Sequence, residues 1–434
     1  MRCQHRQRGS LLITAIVILV TLAMLSAVAT RLFVTQARSG SDFNRAHEAQ
    51  LLAESGMEKA KYELTQSPIY AGEINTAFAN GSFTITILYT DFNGLALPTG
   101  QARISSIGSL TAPDGLLINR TVEEIITVPV LIGWAVGNNG LVLRWDGSQW
   151  LPITTPFTFN INDVHCNTSA SDCWFVGDGG IIAHWDGLTF STSTVSTENL
   201  NAVACDPGNA SLCFTVGNGG TLVAWNGSTW SVSTWPSGQN LNGIHCPASD
   251  CYVVGDSGTI LHYSASWGDE SSGAVNLNDI HCTSTANCWA VGDRDANRFY
   301  TLNRLGSPTW VSSTLSSNKR RNLMAVSCTA SPGSCWAVGL NGRTLLNNGT
   351  APWSLDTTGS TASFNDLWCS QTSTECWATG KAAGGQNTLM HWQGVSWINT
   401  TTTIAPKEFT AIHFAVDADS AATLTTLAWQ EAIP

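Results

Sequence analysis

CNTSASDCWFVGDGGIIAHWDG, residues 166–187, places two cysteines around a short loop, then an aromatic and apolar run, a glycine turn and a second apolar run closed by Trp-Asp-Gly. The arrangement recurs. Trp134, Trp174, Phe214, Tyr252, Trp289, Trp336 and Trp377 each open a four-residue element of the WAVG kind, at spacings of 40, 40, 38, 37, 47 and 41. A period near forty, rich in Gly, Thr and β-branched residues, excludes helical repeats and fits a four-stranded propeller blade. Each unit reads as a strand (INDVHC, 161–166), a loop, a strand (CWFVG, 173–177), a glycine turn, a strand (IIAHW, 181–185), a second turn and a last strand (LTFSTST, 188–194).

The ends of the repeat region suggest how it closes. The element at Trp134 has no preceding strand of the INDVHC type, whereas EFTAIHFAVDADS, residues 408–420, supplies one too many. Pairing Ala411 to Phe414 with the Trp134 element predicts six whole units and one split unit, a seven-bladed ring without open sheet edges. Eight blades would follow if AATLTTLAW, residues 421–429, began another.

The chain has 434 residues and 13 cysteines. Twelve form close pairs: Cys166 with Cys173, Cys205 with Cys213, Cys246 with Cys251, Cys282 with Cys288, Cys328 with Cys335, and Cys369 with Cys376. Cys3 stands alone. No pair has CxxC spacing and no second pair lies at a finger's distance, which argues for local disulfides over zinc. Facing positions on a hairpin bring Cβ atoms to about 5.5 Å, within reach of a bridge. Closing about seven residues gives roughly 2.4 kcal/mol per bridge in the loop-entropy model. Disulfides imply an oxidising compartment.

Charged residues make up 12% of the chain, with a formal charge of -11. Through Gly133 there are ten basic and ten acidic residues, leaving ten against twenty-one for the remainder. An acidic repeat region argues against a nucleic-acid partner.

Ahead of the repeats, Arg2, Arg6 and Arg8 precede an uncharged stretch from Ser10 to Thr30. That length spans a bilayer, with the basic flank cytoplasmic. Ala27 and Ala29 offer a signal-peptidase site, but no proline follows until Pro68, and Phe43, Ala46, Ala53, Met57, Ala60 and Leu64 recur at helical spacing. One helix over 10–66 is expected, its 10–30 half in the membrane. After it, GSFTITILYT (81–90), ARISSIGSL (102–110) and RTVEEIITVPV (120–130) predict three antiparallel strands on its polar half.

RQRGSLLITAIVILV followed by AHEAQLLAESGMEKAKYEL resembles the start of type IV pilin-like proteins, in particular minor pilins of the PilX and MSHA-biogenesis kind and K-type minor pseudopilins of type II secretion. The resemblance covers residues 1 to about 130. It implies a leader, 1–9, removed by prepilin peptidase between Gly9 and Ser10, methylation of the new amino terminus, and packing of the helix among other pilin subunits. Family members mostly carry Phe at the first mature position and Glu at the fifth. Here these are Ser10 and Thr14, as in the subgroup that caps a filament.

WDGSQW at Trp145 and WNGSTW at Trp225 resemble the Asp-box turns of sialidase-like and photosystem-assembly-factor propellers. There such boxes form peripheral turns, so Asp146, Asp186 and Asn226 are read as turn-formers. His165, His245, His281 and His413 share one repeat position; metal binding is the rival to a common scaffold need, and the scaffold reading is preferred. A sialidase-like pocket needs clustered arginines with Tyr and Glu, whereas five of the seven arginines after 130 crowd between Arg294 and Arg321. DRDAN (293–297) and DADS (417–420) have calcium-like oxygen spacing without the Gly and distal Glu of an EF-hand. No phosphate-binding glycine motif occurs.

The expectation is therefore an α+β pilin module, a long α-helix with a small antiparallel sheet over 67–130, followed by an all-β propeller over 131–434. Its expected role is a non-enzymatic filament-tip protein without cofactor, held in a bacterial inner membrane and then displayed at the cell surface. The propeller would bind a surface, glycan or protein ligand. A secreted lectin or glycan hydrolase, released by cleavage after Ala29, and an envelope or secretion-system assembly component are the alternatives.

Overall fold

The apolar stripe of the helix and the alternation of the following strands dictate how the first part folds. The computed structural model describes residues 41–432, apart from short stretches at 67–69, 71, 112–114, 168, 274, 296–297, 317–320, 329–333, 349–351, 358–359, 371–374, 382–386, 393–395, 401–407 and 418–424. Gly9, Ser10, Cys3, Thr14 and the expected membrane half of the helix lie outside the described residues. No helix among those described is long and apolar enough to cross a membrane.

Helix α1, Ser41–Gln66, lays Ala53, Met57, Ala60 and Leu64 on a sheet formed by β1 (Gly72–Phe78), β2 (Gly81–Leu88), β3 (Gln101–Thr111) and β4 (Leu117–Thr127). Phe83, Ile85, Ile104 and Ile126 come up from the sheet to meet them. Gly108 permits the closest approach: a methyl there would overlap the Ala49 carbonyl oxygen and the Ala53 nitrogen. Gly108→Ala is expected to cost at least 1–3 kcal/mol through overpacking. The loss would read out as faster hydrogen exchange over 49–64 and 101–111.

The sheet has five strands where three were expected. Its extra members are β1 and the C-terminal strand Thr426–Ala432, which pairs antiparallel with β4. Within the stretch 421–429, residues 426–429 therefore begin no further blade, 421–424 lying outside the described residues, and the unit expected over 131–434 returns its last strand to the first module. The reason is local. β4 would otherwise be an open edge, and Glu124 on it, 4% exposed, needs partners. Lys61 supplies one at 2.7 Å and the Thr426 hydroxyl donates another.

After β4 come seven four-stranded antiparallel sheets among the described residues, the topology of a β-propeller. In the first, β5 (Leu131–Gly137), β6 (Leu141–Trp145) and β7 (Trp150–Pro152) are completed by Phe409–Val416, so this sheet joins the two ends of the repeat region. The second is a whole unit: β8 (Ile161–Cys166), β9 (Cys173–Gly177), β10 (Ile181–Trp185) and β11 (Phe190–Thr194). Innermost strands touch in sequence order, and Phe409–Val416 touches both β8 and Ser363–Cys369 of the seventh sheet.

Each repeat aromatic packs against rings from the next sheet. Trp174 meets Trp225 and Trp230 at 5.1 and 5.0 Å, and Trp377 meets Trp145 and Trp150 at 5.1 and 5.6 Å. Polar bonds add a second tie. The side-chain amides of Asn162, Asn201, Asn242, Asn278 and Asn365 donate to the first carbonyl of the next innermost strand, at Leu200, Leu241, Leu277, Leu323 and Phe409, over 2.7–2.9 Å. Thr410 makes the link from the first sheet to the second by donating to the Ile161 carbonyl at 2.5 Å, whereas Met324 holds this position in the sixth sheet and has no such donor. These carbonyls sit on fully buried residues, where a missing partner would be costly.

Six disulfides bridge the first and second strands of the second to seventh sheets, joining the twelve paired cysteines as neighbours in sequence. Cys205 and Cys213 occupy directly facing positions. Replacing both by serine opens an eight-residue loop, with an expected loss of about 2.5 kcal/mol. A shift of the urea midpoint measures it.

Candidate functional site

Alternation along the innermost strands puts every second side chain on the same face of its sheet. In β8 these are Asp163 and His165, and the same two positions in the other sheets build two successive rings of side chains. One ring holds Asp163, Ala202, Gly243, Asp279, Ala325, Asp366 and Ala411. The other holds His165, Ala204, His245, His281, Ser327, Trp368 and His413. Their Asp, His, Ser and Trp members line an axial cavity of about 480 Å³ at the disulfide end of the innermost strands, while Ala202, Ala204, Ala325 and Ala411 pack in the cores between sheets. Leu131 and Val416, where the chain enters and leaves the repeats, line it too. The five-stranded sheet is thus joined to the propeller at the end where the cavity lies.

The three aspartates share one geometry. Each carboxylate accepts the N–H of the following residue and one N–H of the next innermost strand. Asp163 takes Val164 and Val203 at 2.7 and 2.8 Å, Asp279 takes Ile280 and Val326 at the same distances, and Asp366 takes Leu367 and Ile412 at 2.7 Å each. Ala, not Asp, occupies this position in the sheet that follows each one, which keeps like charges from facing across a seam. Burial still pushes all three carboxyls up. Asp366 reaches about 6 and Asp279 about 7, the charge of Asp366 adding to burial at Asp279; Asp163 rises well above its ordinary value for the same two reasons.

The histidines form two cross-sheet pairs. The rings of His165 and His413 lie 4.5 Å apart, and those of His245 and His281 4.2 Å apart. Burial holds His165 and His281 down to about 4. His245 and His413 are lowered further by burial and then by neighbouring imidazoles. All four are neutral at physiological pH. Their position also serves the scaffold. His245 Nδ1 accepts the Cys282 N–H at 3.3 Å, and Ser327 Oγ accepts the Cys369 N–H at 3.1 Å. No group of three or more His, Cys, Asp or Glu side chains converges for a metal among the described residues.

The remaining sequence candidates fall elsewhere. Asp146, Asp186 and Asn226 each accept two backbone N–H groups of their own turn, followed by Gly147, Gly187 and Gly227 at φ of 96, 92 and 92°. Asp293 binds the side-chain amides of Asn276, Asn278 and Asn322, locking two neighbouring sheets, while 296–297 and 418–420 lie outside the described residues. Arg304 leaves its sequence neighbours to make a two-point contact with Glu270 at 2.9 and 3.1 Å. The three axial aspartates went unnoticed in the sequence. Their signal was the recurrence of NDVH, NDIH and NDLW at the position otherwise held by Ala or Gly.

No family model matches the chain, and no curated protein matches it. Among solved structures it is similar to "YCF48 bound to D1 peptide", at 17% identity and a TM-score of 0.48, over 64% of this chain and 96% of that one. It is similar also to "YCF48 from Cyanidioschyzon merolae", at 14% identity and 0.47, over 60% and 90%. "Structure of U3-55K" aligns at 9% identity with a TM-score of 0.50, over 65% and 91%. At such identities the likeness extends to fold and no further.

Proposed function

We propose that the chain is a minor-pilin-like subunit whose head displays a closed seven-bladed propeller at the tip of a filament. The observation that carries this reading is the way α1 buries its apolar stripe on a small antiparallel sheet while the chain before it contains the uncharged run 10–30. A helix that is partly head and partly membrane anchor fits a subunit stored in a bacterial inner membrane. Prepilin peptidase would release it between Gly9 and Ser10, and it would then be packed by that helix among other pilin subunits. A propeller of about 300 residues has a radius of gyration near 19 Å, far wider than a helix of about 12 Å, a load that fits a filament end better than every subunit along its length. Its role is contact with a surface, glycan or protein, not catalysis. The double connection of head to propeller, through β4 and through Thr426–Ala432, supports transmission of a pull on the propeller to the helix.

The test is the mature amino terminus, read by mass spectrometry in membrane and sheared-surface fractions of the native host. A methylated Ser10 in sheared filaments is expected. Cleavage after Ala29 would replace this reading with a secreted propeller, and Ser10 confined to membranes would favour an envelope assembly component.

A further inference from the structure

The axial cavity brings together groups of one electrostatic character. Its ionisable lining consists of Asp163, Asp206, Asp279 and Asp366 with His165, His245, His281 and His413, and neither lysine nor arginine is among the lining residues. Once its aspartates ionise, the ring around it is a source of negative potential with low-dielectric walls, which concentrate field lines in the opening. Each axial carboxylate spends two acceptor positions on backbone N–H groups. About four such positions exist on an ionised carboxylate, so acceptor capacity remains for a ligand. At least one imidazole is also available: His281 Nδ1 is buried with no hydrogen-bond partner. Trp368 adds aromatic surface to the same cavity, and such faces attract cations.

The carboxylates stand on the second, fifth and seventh sheets and so do not converge on a single small ion, in keeping with the lack of a metal-like cluster among the described residues. An occupant that satisfies them must be extended and carry N–H donors on a positive charge. We propose that this cavity binds an organic cation bearing alkylammonium or guanidinium groups, either a free polyamine or the basic side chains of a partner. The inference rests on the propeller alone and is independent of the pilin reading. Because a cation stabilises the ionised carboxylates, its binding above pH 6 releases protons, and acid weakens it by protonating its partners.

The full chain in detergent, titrated calorimetrically with spermidine and separately with an acetylated, amidated trilysine peptide, tests this at low ionic strength. At pH 7.5, saturable one-to-one binding is expected, with heats that differ between two buffers of unlike ionisation enthalpy because protons leave. At least a tenfold loss of affinity is expected at pH 5, and again in Asp279→Asn/Asp366→Asn. The pH arm needs no variant, so it stands if the double variant fails to fold. Spermidine binding points to a free polyamine, and binding of the peptide alone points to a partner's side chains. Affinity unchanged at pH 5, affinity unchanged in a folded double variant, no binding of either probe, or zinc chloride binding more tightly than both probes would overturn the proposal.

Discussion

Replacing Phe414 with alanine is expected to cost about 3–5 kcal/mol of stability, the range for a buried Phe, and to concentrate the loss where the ends of the repeat region meet. Phe414 is 3% exposed and lies 4.8–5.7 Å, ring to ring, from Trp368, Trp377 and Trp150. It pairs across the sheet with Gly133, at the place where the other six sheets have a disulfide. A covalent staple here would join residues from opposite ends of the repeats. In its place, the ring sits over the glycine, and a methyl at 133 would overlap it.

Gly133→Ala alone should therefore destabilise by about 1–3 kcal/mol through overpacking. The double variant should lose clearly less than the two single losses combined, because the clash disappears with the ring. A coupling of about 0.5–3 kcal/mol is the expected size for residues in contact. Urea midpoints of the four proteins, at unchanged slope, give the number. Strict additivity would mean that the ring does not rest on Gly133 and that the seam is held elsewhere.

The second large effect is a loss of stability on the alkaline side of neutrality. An aspartate whose folded pKa is raised keeps its proton in the native state when the unfolded chain has released it. Its contribution is present below the unfolded value near 3.9 and is lost as pH climbs through the folded value. For Asp366 and Asp279 those folded values are about 6 and about 7. The buried histidines work the other way. Their folded values are depressed, to about 4 for His165 and His281, so their contribution is full above about 6.5 and lost as pH falls. The two groups oppose each other between about pH 4 and 6.5, and only the aspartates titrate above that.

Unfolding free energy should therefore peak near pH 6–6.5 and fall by on the order of 1–2 kcal/mol by pH 8. Asp279→Asn should flatten the alkaline limb. Its amide keeps one acceptor for the Ile280 and Val326 N–H groups, at the expense of one hydrogen bond, about 1 kcal/mol at all pH values. Denaturant titrations every half unit from pH 5 to 8.5 separate the two contributions. A limb equally steep in the variant would place the titrating group elsewhere.

Much of the architecture was legible in the residues. The forty-residue recurrence of the WAVG element, the glycine turns and the β-branched runs could satisfy their backbone groups and bury their aromatics only as short antiparallel sheets packed face to face. The stripe of Ala53, Met57, Ala60 and Leu64 likewise required a sheet beneath it. These are local periodicities, and a period of two or of 3.6 states which face must be covered. What they omit is the identity of the covering partner.

The destination of Thr426–Ala432 is a case in point. The strand alternates like any blade strand, yet it pairs with β4 about 300 residues earlier, because Glu124 and an open edge wait there. The axial carboxylates are another. Asp163, Asp279 and Asp366 stand on separate repeats and went unremarked in the sequence, and their raised pKa values arise only when closure places three of them around one low-dielectric cavity. Hydrogen bonds within one repeat and the periodicity of its strands are properties of neighbouring residues, so the chain by itself determines them. The charge of the axis and the partner of the last strand depend on residues brought together from distant repeats, and only the tertiary structure decides them.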